Sequence, residues 1–316
     1  MPYRVFIDGQ EGTTGLRIHE RLAERKDLEL IKIAPEKRKE PAERKRLMDQ
    51  ADVVFLCLPD AAAKEAVGLI ENPKTRVIDA STAHRTDPEW VYGFPELCPG
   101  QREAVSKAKR IANPGCYATG FLSLARPLSA EGVLPADYPV VCHAISGYSG
   151  GGKKMIAAYE DTGRPLEYDA PRQYALSQTH KHHNEMLAFS GLSFPPAFNP
   201  IVSDFYSGMC VSVPLHTRLL NGRPGPEAVW DLLQEYYRDQ KMVKVMPLQG
   251  EGVLEAGFLP SNALSGTDRL EIYVCGNSER VLLAACLDNL GKGASGAAVQ
   301  NMNLALGLEE TAGLSL

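Results

Sequence analysis

The chain has 316 residues, 44% of them hydrophobic and 23% charged, with a net charge of −5. That length suits two domains with well-buried cores, and the negative balance argues against nucleic acid or an anionic membrane surface as a partner, since both need a basic field. No run approaches the roughly 20 apolar residues of a membrane span.

The opening MPYRVFIDG reads straight into a strand over residues 3–8, so no secretory leader is expected and the expected location is the cytoplasm. Gly9, Gly12 and Gly15 follow at G-x-x-G-x-x-G spacing, and an amphipathic helix with Leu16, Ile18 and Leu22 comes next. A strand, a glycine-rich turn and a helix start make a phosphate site, because glycine admits close backbone approach and the helix start offers unpaired N–H groups. A plain tight turn is the alternative. The second strand, LELIKIA (28–34), leads into PEKRKEPAERKR. Glu36 is there for a ribose hydroxyl, yet Lys37, Arg38 and Lys39 surround it, a cluster that suits the 2′-phosphate of NADP. A solvated charged loop is the other reading.

Further βα units follow: a strand over 51–59 containing Cys57, a helix from Asp60, and a strand over 75–81. Alternating apolar strands and helices predict a parallel α/β sheet whose ligands gather at the strands' carboxyl ends. The cluster from Asp79 to Arg85, with Ser81 and His84, falls at such an end.

KRIANPGCYATG predicts a short strand, a Pro-Gly turn and a helix, with Cys116 at or just before the helix start. A thiol at a helix start is stabilised as thiolate, and the same N–H groups can hold an oxyanion. Seven scattered cysteines without a C-x-x-C pair exclude a disulfide framework or a cysteine-rich zinc site, and Cys57, inside an apolar strand, reads as structural. HAISGYSGGGKKM (143–155) reads as a loop rich in backbone donors, with Ser146, Gly147 and Ser149 before Lys153 and Lys154; it is either an anion cradle or a flexible loop. THKHHNEM places His180, His182 and His183 beside Glu185. These residues can form an acid–base pair, a metal site or an inert surface cluster; no metal is expected.

Eight ordered segments, FIDGQEGTTGL, EKRK, VIDASTAHR, YGFPEL, NPGCYATG, SGYSGGGKK, HKHHNEM and GASGAAVQNMNLALGL, carry a resemblance that runs almost end to end. The chain resembles the N-acetyl-γ-glutamyl-phosphate reductases of arginine biosynthesis, in the shorter (type 2) form, within the semialdehyde dehydrogenase superfamily. The resemblance implies an α/β fold. A Rossmann-type NADP-binding domain would span residues 1–114 and 288–316. A second α+β domain, residues 115–287, with an antiparallel-type sheet, would carry catalysis and oligomer contacts in a homodimer or homotetramer. It implies Cys116 as nucleophile, the H-x-H-x-x-E residues His180, His182 and Glu185 as acid–base machinery, with His180 slightly preferred, and NADP(H) as cofactor. Gly9, Gly12, Thr13, Thr14, Gly15, Lys37, Arg38, Ser81 and Asn301 would hold that cofactor. Arg85, Ser146, Gly147, Ser149 and Lys153 would face the small-molecule substrate. The implied reaction is reduction of N-acetyl-γ-glutamyl phosphate through a cysteine thioacyl intermediate. The rivals are an aspartyl-phosphate or carrier-bound aminoadipyl-phosphate reductase, and a silent NADP-binding protein.

Overall fold

The computed structural model describes residues Pro2–Leu316, and the chain forms two compact units. The first comprises Met1–Pro95, Gly100–Pro114 and Ala294–Leu314, the second Glu96–Pro99, Gly115–Gly293 and Ser315–Leu316. The chain re-enters the first unit at Ala294, and the short stretch Glu96–Pro99 groups with the second.

The first unit runs β1 (Tyr3–Asp8), α1 (Thr13–Leu22), β2 (Leu28–Ile31), α2 (Pro41–Gln50), β3 (Val53–Leu56), α3 (Asp60–Leu69), β4 (Arg76–Asp79), β5 (Val91–Tyr92), α4 (Gln101–Lys107) and β6 (Arg110–Ala112), with a carboxyl-terminal helix over Gly296–Leu306. Its sheet has the order β2-β1-β3-β4-β6-β5, and every pairing is parallel. Side chains of a strand alternate between faces, and here both faces are covered. Val5, Ile7, Val53 and Phe55 pack on α1 and the carboxyl-terminal helix through Ile18, Leu22 and Met302. Phe6, Val54 and Leu56 pack on α2 and α3 through Leu47, Met48, Ala63 and Ala66. That is why the strands read as nearly continuous apolar runs. The basic stretch after β2 is not one loop. Pro35–Lys37 forms a 3-10 turn, and Pro41 begins α2, where its fixed φ and missing N–H are compatible with the first helical position.

The second unit runs α5 (Cys116–Ala130), β7 (Val141–Gly147), α6 (Gly152–Glu160), β8 (Arg172–Gln173), α7 (His183–Ser190), β9 (Ala197–Ser203), β10 (Met209–His216), α8 (Pro226–Tyr236), β11 (Val243–Val245), β12 (Leu270–Gly276) and β13 (Arg280–Leu287). The sheet order is β11-β12-β13-β10-β7-β9-β8. It is mixed: β11–β12 and β7–β9 are parallel and the other pairings antiparallel. Helix α5 lies on one face and is buried along almost its whole length. It approaches so closely that a Cβ on Gly120 would stand 2.5 Å from Val211 Cγ2. On the opposite face Pro214 and Leu282 stand directly across from each other, and both are exposed.

The stretch 143–155 is corrected from a loop. Its first half is β7, paired with β10 on one side and β9 on the other, Tyr148–Gly151 is a 3-10 turn, and Lys153 and Lys154 sit in the first turn of α6. Beyond the strand, the amides of Tyr148 and Ser149 donate to the Phe205 and Tyr206 carbonyls, both at 3.0 Å. Among the described residues no helix is long and apolar enough to cross a membrane.

Candidate active site

The glycine turn in the first unit is built for close approach. Gly9 has φ +86°, and a side chain there would collide with the Cys57 carbonyl; on Gly15 it would stand 2.5 Å from the Gly9 carbonyl. Gly12 is the N-cap of α1 and no side chain caps the helix, so the amides of Thr13 and Thr14 open the helix as phosphate donors. The sheet order reverses direction between β1 and β3, the place where such sheets bind ligands. Arg38 reaches back to this turn through an ion pair with Glu11 (2.9 Å), while Lys37 ends the 3-10 turn, exposed.

Arg44, six residues beyond Arg38 in the same basic stretch, turns inward. Its guanidinium donates to Asp8 Oδ2 at 2.7 and 3.1 Å, tying α2 to the end of β1. Burial pushes the Asp8 carboxyl above its ordinary range against the opposing pull of Arg44. Only the Arg44, Leu47, Met48 spacing in the sequence hints at this. Burial, with help from Asp79 and Asp8, pushes the Cys57 thiol far up, which keeps it protonated and inert.

At the end of β4, Asp79 organises the strand-end motif. Its Oδ1 accepts from the Ser81 amide (2.9 Å), and its Oδ2 accepts from Ser81 Oγ (2.7 Å) and faces His84 Nδ1 (2.7 Å). His84 stacks on Trp90 with centroids 4.1 Å apart. Arg85 is buried, donating to the carbonyls of Asn113 (2.9 Å) and Ala80 (3.3 Å). Asn301, read from the sequence as a cofactor contact, lies in the interior: its amide donates to Gly93 O (2.9 Å) and Asn113 Oδ1 (3.1 Å). Asn113 in turn donates to the Ala294 carbonyl (3.0 Å). Ser81, Arg85 and Asn301 therefore shape the loop ends; the Asn301 amide nitrogen is engaged with protein, while its buried Oδ1 accepts no hydrogen bond within the chain.

In the second unit Cys116 is the first residue of α5, preceded by Gly115 in extended conformation with no side-chain cap on the helix. The Gly115 amide donates to Glu185 Oε2 at 3.0 Å. The other oxygen of Glu185 lies 3.9 Å from His182 Nε2, and both side chains are buried. The His182 amide donates to His180 Nδ1 (3.1 Å), which makes that nitrogen an acceptor and puts the proton of neutral His180 on Nε2. The His180 ring sits against Tyr117 (5.8 Å), Tyr174 (5.9 Å) and His182 (4.7 Å). Tyr174 donates to the Tyr117 hydroxyl at 2.9 Å, and burial pushes both phenols up. His183 points elsewhere in the same cluster, against Phe198, with burial pulling its imidazole down.

The SGYSGGGKK residues separate. Ser146 is buried and donates to the Gly147 carbonyl (3.1 Å). A side chain on Gly147 would meet the carbonyls of Tyr206 and Phe205 at 2.6 and 2.7 Å. Ser149 is buried and accepts from Asn289 (2.9 Å), whereas Lys153 is exposed. Among the described residues no group of three or more His, Cys, Asp or Glu side chains is placed to hold a metal.

Sequence reading missed the segment behind the cysteine. Gly291–Ser295 forms a π-helical turn, and a Cβ on Gly293 would stand 2.7 Å from Cys116 Cβ. Lys292 between them is 1% exposed and bonded to both carboxylate oxygens of Glu96 at 2.8 and 2.9 Å. A lysine in DNLGKGASG is the only signal, and nothing there names its partner.

Residues 4–108 match the semialdehyde dehydrogenase NAD binding domain, and residues 116–289 the semialdehyde dehydrogenase dimerisation domain. N-acetyl-gamma-glutamyl-phosphate reductase 2 of Nostoc sp. is 48% identical, covering 98% of this chain and 99% of that one. N-acetyl-gamma-glutamyl-phosphate reductase of Brucella ovis is 49% identical, covering 97% and 100%. Aspartate semialdehyde dehydrogenase II of Vibrio cholerae, solved in complex with ASA, is similar in fold with a TM-score of 0.74 at 17% identity, over 97% of this chain and 98% of that one. With nearly half its residues shared along almost its whole length, the chain belongs to the N-acetyl-γ-glutamyl-phosphate reductase family, on the semialdehyde dehydrogenase fold.

Proposed function

We propose that the protein reduces N-acetyl-γ-glutamyl phosphate to N-acetylglutamate 5-semialdehyde and phosphate with NADPH, in arginine biosynthesis. The observation that carries this reading is Cys116 at the uncapped start of α5, with Glu185 joining that helix start to His182. A dinucleotide fits the first unit because the turn at Gly9 and Gly15 has no room for a side chain and the start of α1 is uncapped. Lys37 and Arg38 supply the positive charge that favours a 2′-phosphate. When bound, NADPH supplies the hydride.

The protein's own work is covalent. The Cys116 thiolate attacks the acyl carbon, and the Tyr117 and Ala118 amides at the helix start receive the developing oxyanion. The C–O bond to phosphate breaks, phosphate leaves with the electron pair, and a thioacyl-enzyme remains. After reduction to the thiohemiacetal, the C–S bond breaks, the hydroxyl proton departs and the cysteine leaves as thiolate. His182 is the proton carrier in this scheme, because its Nε2 faces the carboxylate that joins it to the start of α5, while His180 Nδ1 is taken by the His182 amide. Arg85 serves the substrate indirectly, through the Asn113 carbonyl, and the exposed Lys153 can meet an incoming anion.

Association into a homodimer or homotetramer belongs to the same reading, through the exposed sheet face around Pro214 and Leu282. A cytoplasmic location suits an enzyme whose nucleophile must stay reduced.

The reverse reaction tests the assignment. Purified protein, N-acetylglutamate semialdehyde and NADP should form NADPH, read by absorbance, only when phosphate is added. Absence of phosphate-dependent NADPH would overturn the reductase reading. Equal or faster rates with aspartate semialdehyde would move the assignment to that substrate.

A further inference from the structure

Lys292 and Glu96 form an ion pair that the proposed chemistry does not use. Both side chains are almost completely enclosed, 1% and 0% exposed, and a fully buried ion pair gains little net stability over apolar residues of the same shape. Its location suggests another purpose. Lys292 is the second residue of the π-helical turn, a geometry that recurs at functional sites. Asp288 holds the entrance to that turn: its carbonyl accepts from the amides of Gly291 (3.1 Å) and Gly293 (2.9 Å), and its Oδ1 accepts from Leu290 (2.8 Å). On both sides of Lys292 the backbone runs where no side chain fits, Gly291 against the Thr267 carbonyl and Gly293 against Cys116 Cβ. The turn is therefore held at its entrance by Asp288 and in its middle by the ion pair, with Gly293 pressed on the cysteine.

We propose that Glu96 and Lys292 are positioning residues. They clamp the π-helical turn so that the Gly293 backbone forms a rigid wall behind Cys116 and restricts its χ1 rotation. A cysteine confined to the reactive rotamer spends no time in unproductive ones, which is the rate advantage of a preorganised nucleophile. The proposal rests on Cys116 as the nucleophile and is indifferent to which acyl phosphate it attacks.

The experiment compares the full-length parent with Glu96→Leu, Lys292→Met and the double variant. Three quantities are read: the thermal midpoint, the rate at which iodoacetamide labels Cys116 (by peptide mass mapping), and kcat and KM for the nicotinamide cofactor. The single variants leave one polar group buried without its charged partner, so their midpoints should fall. The double variant, with two neutral side chains of similar shape, should regain most of that midpoint. Its Cys116 labelling and kcat should nevertheless stay about tenfold below the parent, a loss of ~1.4 kcal/mol in barrier terms, with KM for cofactor unchanged. If labelling and kcat recover together with the midpoint, the pair serves stability alone and the proposal fails. It also fails if a folded single variant labels at the parental rate, or if the double variant does not fold. Labelling needs neither substrate nor cofactor, so a wrong substrate assignment would leave this result readable.

Discussion

Glu185 does two things with one carboxylate. One oxygen takes the amide that precedes the nucleophile, and the other faces the His182 imidazole, so the histidine is referenced to the helix start that holds Cys116. His180 has the complementary task of accepting the His182 amide. Replacing His182 with Asn should lower kcat by roughly 10²–10⁴-fold and flatten the limb of the pH–rate profile that reports the proton donor. His180→Asn should cost less than tenfold, because the amide oxygen can still accept from the His182 amide. Steady-state kinetics across pH on both variants check this, and the opposite order would return the role to His180. The motif HKHHNEM contained all these residues, but the roles did not follow from spacing. They depend on an amide 70 residues away and on which ring nitrogen already has a partner. Similarly, the resemblance named Asn301, but not that its helix holds it buried with its amide nitrogen bonded to Gly93 and Asn113.

Elements were legible where periodicity was strong. β1, the glycine turn and α1 follow from an apolar run, three glycines and a helical apolar face, and α5 follows from Pro-Gly before an apolar helix. Two elements were hidden for opposite reasons. The Pro41 that opens α2 lies in a basic stretch whose charges drew the reading to a cofactor cluster or a solvated loop, and the glycines after β7 masked a strand whose register is fixed by neighbours on both sides. Packing gives α5 a sharper signature than its sequence. Gly120 is the residue that lets the helix settle on β10, and the space beside it is already filled by Val211. Gly120→Ala should destabilise the protein by about 1–3 kcal/mol, the usual cost of overpacking a core, although alanine is the better helix former. The midpoint of urea unfolding measures it. A variant at least as stable as the parent would show that the helix can shift outward without loss.

For the whole molecule, the return of the carboxyl-terminal helix to the first unit means that neither unit is a simple half of the chain. The boundary at Gly293 and the grouping of Glu96–Pro99 with the second unit depend on long-range pairing, such as that of Lys292 with Glu96, which local sequence patterns do not carry. The second sheet has α5 on one face, and its other face keeps Pro214 and Leu282 exposed, next to the His216–Arg280 pair of the same register. Placed in a self-complementary interface, a charge at Leu282 is repeated by symmetry and left without water. Leu282→Asp should therefore shift the protein towards monomer in light scattering coupled to size-exclusion chromatography, with little change in Cys116 labelling. An unchanged mass would remove this face from the interface.

The wall behind Cys116 also bears on how the protein comes into being. The cysteine emerges from the ribosome long before its setting does: Glu185 lies 70 residues beyond Gly115, and Lys292 lies 196 residues beyond Glu96. Closing loops of that length is slow and comes late in folding. During synthesis the thiol is thus an ordinary cysteine, without its carboxylate neighbour, its histidine or its wall. Full nucleophilicity arrives only when almost the entire chain has been made, which protects the nascent protein from its own chemistry.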